Sequence, residues 1–106
     1  MGTSRIEVFK HILESDPANS AVLFGLAKEY EKAGQQLELI ETLSRYLASA
    51  DDEGNAYGML ARAYEKHGER DKARAAYEQG ITAATSHGHP GMAEEYRMTL
   101  ASEYED

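Results

Sequence analysis

The chain has 106 residues, of which 42% are hydrophobic, and this fits one domain with a modest core. Its net charge of -8 opposes binding to a phosphate backbone, so we expect no nucleic acid partner. It has no Cys, no apolar run near the roughly 18 residues of a membrane span, and no apolar centre of a signal peptide in its first residues. We therefore expect a cytoplasmic protein without disulfides and without a membrane partner.

The first predicted element is a helix over residues 3–16. Its apolar residues recur at helical spacing, namely Ile6, Val8, Phe9, Ile12 and Leu13. Ser4 and Glu7 can form a capping box at its start, and Pro17 favours its end. We expect this helix to cap the repeats that follow it.

The centre of the chain is a 34-residue pattern that occurs twice, over residues 20–53 and 54–87. A shift of 34 places Tyr30 on Tyr64 and Gly34 on Gly68 without a gap. Apolar residues recur three and four apart before each glycine and again after it. Each copy is therefore predicted to be a helix, a tight turn and a helix. We expect the aromatic residues at this period in the core, namely Tyr30, Tyr57, Tyr64 and Tyr77.

The last predicted element is a helix over residues 90–104, which follows the polar break from His87 to Gly91. A two-residue insertion places an apolar set in its core positions: Ala93, Tyr96 and Leu100. A strict 34-residue step would instead place Gly91, Glu94 and Glu95 there. We prefer the insertion, expect a cap that ends the groove at Arg62, and expect the acidic run 103–106 to be a solvated tail. Together the elements predict an all-α chain of six helices.

The second copy resembles the tetratricopeptide repeat (TPR). Its residues at the signature positions are Tyr57, Leu60, Ala61, Tyr64, Gly68, Ala73, Tyr77 and Gly80. The first copy departs from the pattern, with Leu39 where Ala is usual and Leu43 where an aromatic is usual. The resemblance covers about residues 5–87. It implies a right-handed helical-repeat solenoid of antiparallel helices, and a non-catalytic module that binds a partner protein or peptide in a concave groove.

The resemblance also implies which residues line that groove, because the first helix of each pair faces it in this family. Carried over by position, they are Phe24, Lys28, Lys32, Asn55, Arg62 and Lys66. The stacked cations favour a partner with an acidic segment or a carboxylate, since a concave surface concentrates the field of its charges. The alternative is that these cations only pair with Glu29, Glu31 and Glu65 on a solvated face.

The sequence carries no pattern of an enzyme or of a cofactor site. No glycine-rich phosphate loop, nucleophile elbow or zinc-type spacing is present, so we expect no catalytic residue, cofactor or metal. His87 and His89 are interpreted as part of a polar turn, and Asp51 or Asp52 as the cap of the next helix. The alternative function is self-association, as a homodimer or as part of a longer TPR array.

Overall fold

A computed structural model describes residues 4–105 of the chain. These residues form six helices and no strand, which confirms the predicted all-α class. The helices are α1 (Arg5–Ser15), α2 (Ser20–Ala33), α3 (Gln36–Ser49), α4 (Asn55–Lys66), α5 (Arg70–Ser86) and α6 (Pro90–Glu103). Two compact units are present, one ending at Ala50 and the other beginning at Asp51. The interpretation as one domain stays a prediction, and residue 3 of the predicted first helix lies outside the described residues.

Helices α1, α2 and α3 form the first unit, in which α2 packs against both neighbours. The Ser4 hydroxyl accepts a hydrogen bond from the Glu7 amide at 3.1 Å, as expected of a residue that caps α1. Helix α2 ends at Gly34, whose φ of 72° is the left-handed conformation that glycine adopts at low cost. Ser4 therefore caps α1 and Gly34 ends α2, as the sequence pattern predicts.

The core of the first unit is built mainly from leucines of α2 and α3. Its buried apolar residues are Leu13, Leu23, Leu26, Ala27, Tyr30, Leu39 and Leu43. Leu43 is fully buried at the position where the repeat usually carries an aromatic residue. Burying each leucine stabilises the fold by roughly 1.5 to 3 kcal/mol, so the departures of this copy from the TPR pattern still supply a core.

Helices α4, α5 and α6 form the second unit, in which α5 packs against both neighbours. The Asp52 carboxylate accepts hydrogen bonds from the Gly54 amide at 2.8 Å and from the Ala56 amide at 2.9 Å. Of the two candidate caps, Asp52 is therefore the residue that satisfies the start of α4. Small residues dominate the interior and allow close helix packing, namely Ala56, Ala61, Ala63, Ala73, Ala76 and Ala84.

Tyr96 of α6 lies between two glycines of the other helices. A Cβ atom on Gly58 would overlap the Tyr96 hydroxyl, and one on Gly80 would lie 2.9 Å from the Tyr96 Cε2. The hydroxyl donates a buried hydrogen bond to the Gly54 carbonyl at 2.9 Å. The absence of two side chains therefore creates the space that this ring fills.

The burial pattern of α6 confirms the two-residue insertion. Ala93 and Tyr96 are buried and Leu100 is half-buried, whereas the residues that a strict 34-residue step would bury are exposed: Gly91, Glu94 and Glu95.

Among the four tyrosines predicted in the core, two are buried and two are half-buried. The buried ones are Tyr30 and Tyr77, and the half-buried ones are Tyr57 and Tyr64.

Candidate functional site

The second unit contains a pocket of about 520 Å³ between α4, α5 and α6. Its walls are formed by Arg62, Glu65, Gly68, Arg70, Tyr77, Thr99, Glu103 and Tyr104. Arg62 was predicted to line a groove, whereas the wall on the side of α6 was not predicted. Thr99 and Glu103 of α6 line this pocket together with Arg62. The expectation that the last helix ends the groove at Arg62 stays a prediction.

Glu65 is the polar centre of this pocket. The Tyr77 hydroxyl donates to both carboxylate oxygens of Glu65 at 3.3 Å, and the Tyr104 hydroxyl donates to one of them at 2.6 Å. Burial, followed by the charge of Glu65, raises the pKa of Tyr77 to about 12. Burial and the hydrogen bond to Glu65 also raise the pKa of Tyr104. Both phenols therefore remain protonated donors at neutral pH.

The two arginines of the pocket differ in what they contact. The Arg70 guanidinium lies 4.5 Å from the centre of the Tyr104 ring and donates to the Glu103 carbonyl at 2.6 Å. Arg62 is exposed and forms no ion pair with a carboxylate of residues 4–105. A cation without such a partner at the edge of a pocket can receive an anionic group of a ligand at little cost. Within residues 4–105, Arg62 is therefore the arginine of this pocket that contacts neither an aromatic ring nor a carboxylate.

Tyr104 lies in the last predicted helix, over residues 90–104, but its sequence context did not indicate a role in a site. This residue follows α6 in an acidic run that was expected to be a solvated tail, yet it is only 5% exposed. Its ring packs edge-on against Tyr77 with centroids 5.9 Å apart. The solvated-tail prediction is therefore wrong for Tyr104, and Asp106 lies outside the described residues. The helical spacing of Tyr104 after Leu100 was the available signal.

The predicted groove residues of α2 are described within the first unit alone. The Phe24 ring is half-buried and lies 5.1 Å from the Tyr46 ring. The Lys28 ammonium lies 5.5 Å from the centre of the Phe24 ring. Lys32 is within 3.5 Å of the Glu29 carboxylate, as the alternative of paired surface charges predicts. Phe24 and Lys28 thus form one contact pair, and Lys32 is occupied by its own helix.

The remaining predicted residues lie at the two ends of α4. Asn55 and Lys66 are both exposed, and neither lines the pocket beside Arg62. Of the three residues predicted on α4, only Arg62 therefore contributes to that pocket. The role of Asn55 and Lys66 in partner binding stays a prediction.

Two histidine–carboxylate pairs link the turn after α5 to the segment before α4. The His87 Nε2 lies 3.1 Å from the Asp51 carboxylate, and His89 forms a close pair with Glu53. The hydrogen bond from His89 lowers the pKa of Glu53. No group of three or more metal-ligating side chains occurs within residues 4–105, and no helix there is long and apolar enough to cross a membrane.

Comparison with known proteins identifies the family. A sequence model of the tetratricopeptide repeat matches residues 54–87, the bounds predicted for the second copy. The TPR repeat-containing protein PA0015 of Pseudomonas aeruginosa is 30% identical over 95 residues, which cover 90% of each chain. The crystal structure of MamA has a similar fold, with a TM-score of 0.52 and 22% identity over 92% of this chain and 85% of that one. TPR repeats generally mediate protein–protein interactions and are typically non-catalytic. The chain belongs to the TPR family.

Proposed function

We propose that the chain is a non-catalytic adaptor that binds a peptide or helix of a partner protein, and that the pocket beside Arg62 is its binding site in the second unit. The pocket of about 520 Å³ is the observation that supports this most strongly. Binding sites are usually concave, with apolar walls and a few polar groups that orient the ligand. The tyrosine rings, the exposed Arg62 and the hydrogen-bonded carboxylate of Glu65 meet that description.

The charge of the second repeat favours an acidic group of the partner next to Arg62. Residues 54–87 carry a net charge of +1, whereas the whole chain carries -8. Opposite charges across an interface raise the association rate and select among partners. The Glu65 carboxylate on the same helix repels an acidic group of the partner. We therefore expect a single acidic side chain or a terminal carboxylate of the partner to bind next to Arg62 and away from Glu65.

We propose a second contact surface on α2, formed by Phe24 and Lys28. The ammonium of Lys28 over the Phe24 ring presents an apolar and a cationic group together, which suits an acidic and partly apolar peptide. Lys32 contributes less, because Glu29 already pairs with it. Asn55 and Lys66 are proposed as contacts at the margins of α4.

Site-specific photo-crosslinking tests the proposal. The photoreactive amino acid p-benzoylphenylalanine replaces Thr99, which lines the pocket, or Thr82, which is exposed on α5 and lies outside it. We expect the Thr99 position to crosslink a defined partner from a lysate of the cells that produce the protein, and the Thr82 position to crosslink none. Arg62→Glu should abolish the Thr99 product.

The same experiment distinguishes peptide binding from the alternative function, which is self-association. Equal products from Thr99 and Thr82, or a Thr99 product that persists with Arg62→Glu, would contradict peptide binding at the pocket. A Thr99 product that consists of two copies of this chain, together with a concentration-dependent dimer in light scattering, would favour self-association.

A further inference from the structure

The segment after α6 inserts an aromatic side chain into the edge of the pocket. Tyr104 is only 5% exposed although α6 ends at Glu103. Its hydroxyl donates to Glu65 at 2.6 Å, and its ring packs against Tyr77 with centroids 5.9 Å apart. The side chain thus has both an apolar contact and a specific hydrogen bond, as an anchor residue of a bound peptide has.

Two arginines of α5 hold this segment through its ring and through its backbone. The guanidinium of Arg70 lies 4.5 Å from the ring centre and that of Arg74 lies 5.8 Å from it. Arg70 donates to the Glu103 carbonyl, and Arg74 donates to the Tyr104 carbonyl. Main-chain hydrogen bonds combined with a side-chain pocket are the usual means of binding a short peptide segment.

Tyr104 also separates two pockets of the second unit. One is the pocket beside Arg62, and the other has a volume of about 330 Å³ and is lined in part by Arg74, Arg97 and Leu100. Because Tyr104 lines both, its departure would open one continuous groove along α5 and α6. The residues that line the two pockets include Arg62, Arg70, Arg74 and Arg97.

We propose that Glu65, Arg70, Arg74 and Tyr77 form a docking site for a tyrosine of an acidic partner segment, and that Tyr104 occupies this site until the partner displaces it. This rests on the proposed function and specifies its partner. The occupying segment indicates the chemistry of the ligand, since Tyr104 stands between Glu103 and Glu105. A tethered side chain has an effective concentration on the order of millimolar, so the partner needs further contacts such as Arg62.

Fluorescence anisotropy with a labelled synthetic peptide tests the proposal. The probe carries Glu-Tyr-Glu within a Gly-Ser context and is titrated with the full chain and with Tyr104→Ala. If the open site is populated at roughly 1 to 10% in the natural chain, the variant should bind about 10 to 100 times more tightly. Tyr104→Phe keeps the ring but loses the hydrogen bond to Glu65, so its affinity should be intermediate.

A second probe with Phe in place of Tyr tests the role of Glu65. It cannot donate a hydrogen bond, so we expect Tyr104→Ala to bind it several-fold more weakly than the Tyr probe. Equal affinities of the natural chain and both variants, or equal affinities for the two probes, would overturn the proposal. If circular dichroism shows that Tyr104→Ala does not fold, the affinities of Tyr104→Phe and of the natural chain for the Tyr probe are compared instead. Tighter binding by Tyr104→Phe supports the proposal, and equal binding overturns it.

The two proposals can fail separately. Failure of the peptide titration with crosslinking from Thr99 intact would remove the tyrosine-docking site and leave partner binding at the pocket. Loss of the crosslink at Thr99 as well would remove both.

Discussion

Gly58→Ala provides a sharp test of the packing around Tyr96. A methyl group at this position would overlap the Tyr96 hydroxyl and lie 2.9 Å from its Cζ. The ring cannot move away easily, because Gly80 lies close to its other side and its hydroxyl donates to the Gly54 carbonyl at 2.9 Å. Alanine usually stabilises a helix relative to glycine, so the structure predicts the opposite sign to helix propensity.

The expected magnitude follows from three effects. Overpacking a well-filled interior costs about 1 to 3 kcal/mol, and loss of the buried hydrogen bond of Tyr96 costs about 1 kcal/mol more. The better helix propensity of alanine offsets up to about 1 kcal/mol of this destabilisation. We therefore expect Gly58→Ala to lower the free energy of unfolding by about 2 kcal/mol.

Urea denaturation followed by circular dichroism measures this effect. Gly91→Ala is the matched control, because a Cβ atom there would meet no atom within 4 Å. We expect Gly91→Ala to leave the free energy of unfolding unchanged or to raise it by up to about 1 kcal/mol. If Gly58→Ala is as stable as the natural chain, the placement of Tyr96 between the two glycines is refuted.

Three further predictions concern binding, pH and helix capping. Lys28→Glu combined with Arg62→Glu should abolish partner capture without changing helicity in circular dichroism. If the double variant still captures the partner, the assignment of Lys28 and Arg62 to the binding surfaces is wrong. The raised pKa of Tyr77, about 12, gives stability that is complete below pH 10 and is lost as pH rises through 12. The urea midpoint should therefore fall as pH rises over that range, and it should fall less steeply in Tyr77→Phe. If the variant and the natural chain show the same pH dependence, the raised pKa of Tyr77 is refuted. Asp52→Ala should cost about 0.5 to 2 kcal/mol in urea denaturation through loss of the α4 cap. Asp51→Ala, at an exposed ion pair, should cost less, and the reverse order would refute the cap.

The fold was largely predictable because its determinants are local. The 34-residue period, the apolar spacing and the glycines at Gly34 and Gly68 predict helix ends, and both glycines have positive φ values in the structure. The register of α6 was also predictable, because only the two-residue insertion buries Ala93 and Tyr96. The helix ends and the register of α6 depend on residues that lie a few positions or one repeat apart in the sequence.

The pocket was only partly predictable, because most of its residues meet through tertiary packing. Arg62 could be carried over from the repeat pattern, but the contact of Tyr104 with Glu65 joins residues 39 positions apart. The helical spacing of Tyr96, Leu100 and Tyr104 does extend to this residue, but that spacing does not reveal the contact with Glu65. An acidic run around Tyr104 indicated solvent exposure, whereas the arginines of α5 supply the opposite charge that allows its burial.

An NMR titration tests the central claim most directly. The segment of the partner that crosslinks at Thr99 is synthesised and added to ¹⁵N-labelled protein, and the amide shifts are followed. The account predicts saturable shifts that cluster at Arg62, Glu65 and Thr99, and their loss in Arg62→Glu. Shifts that cluster around Thr82 on α5, with no change at Arg62 or Thr99, would contradict binding at the pocket.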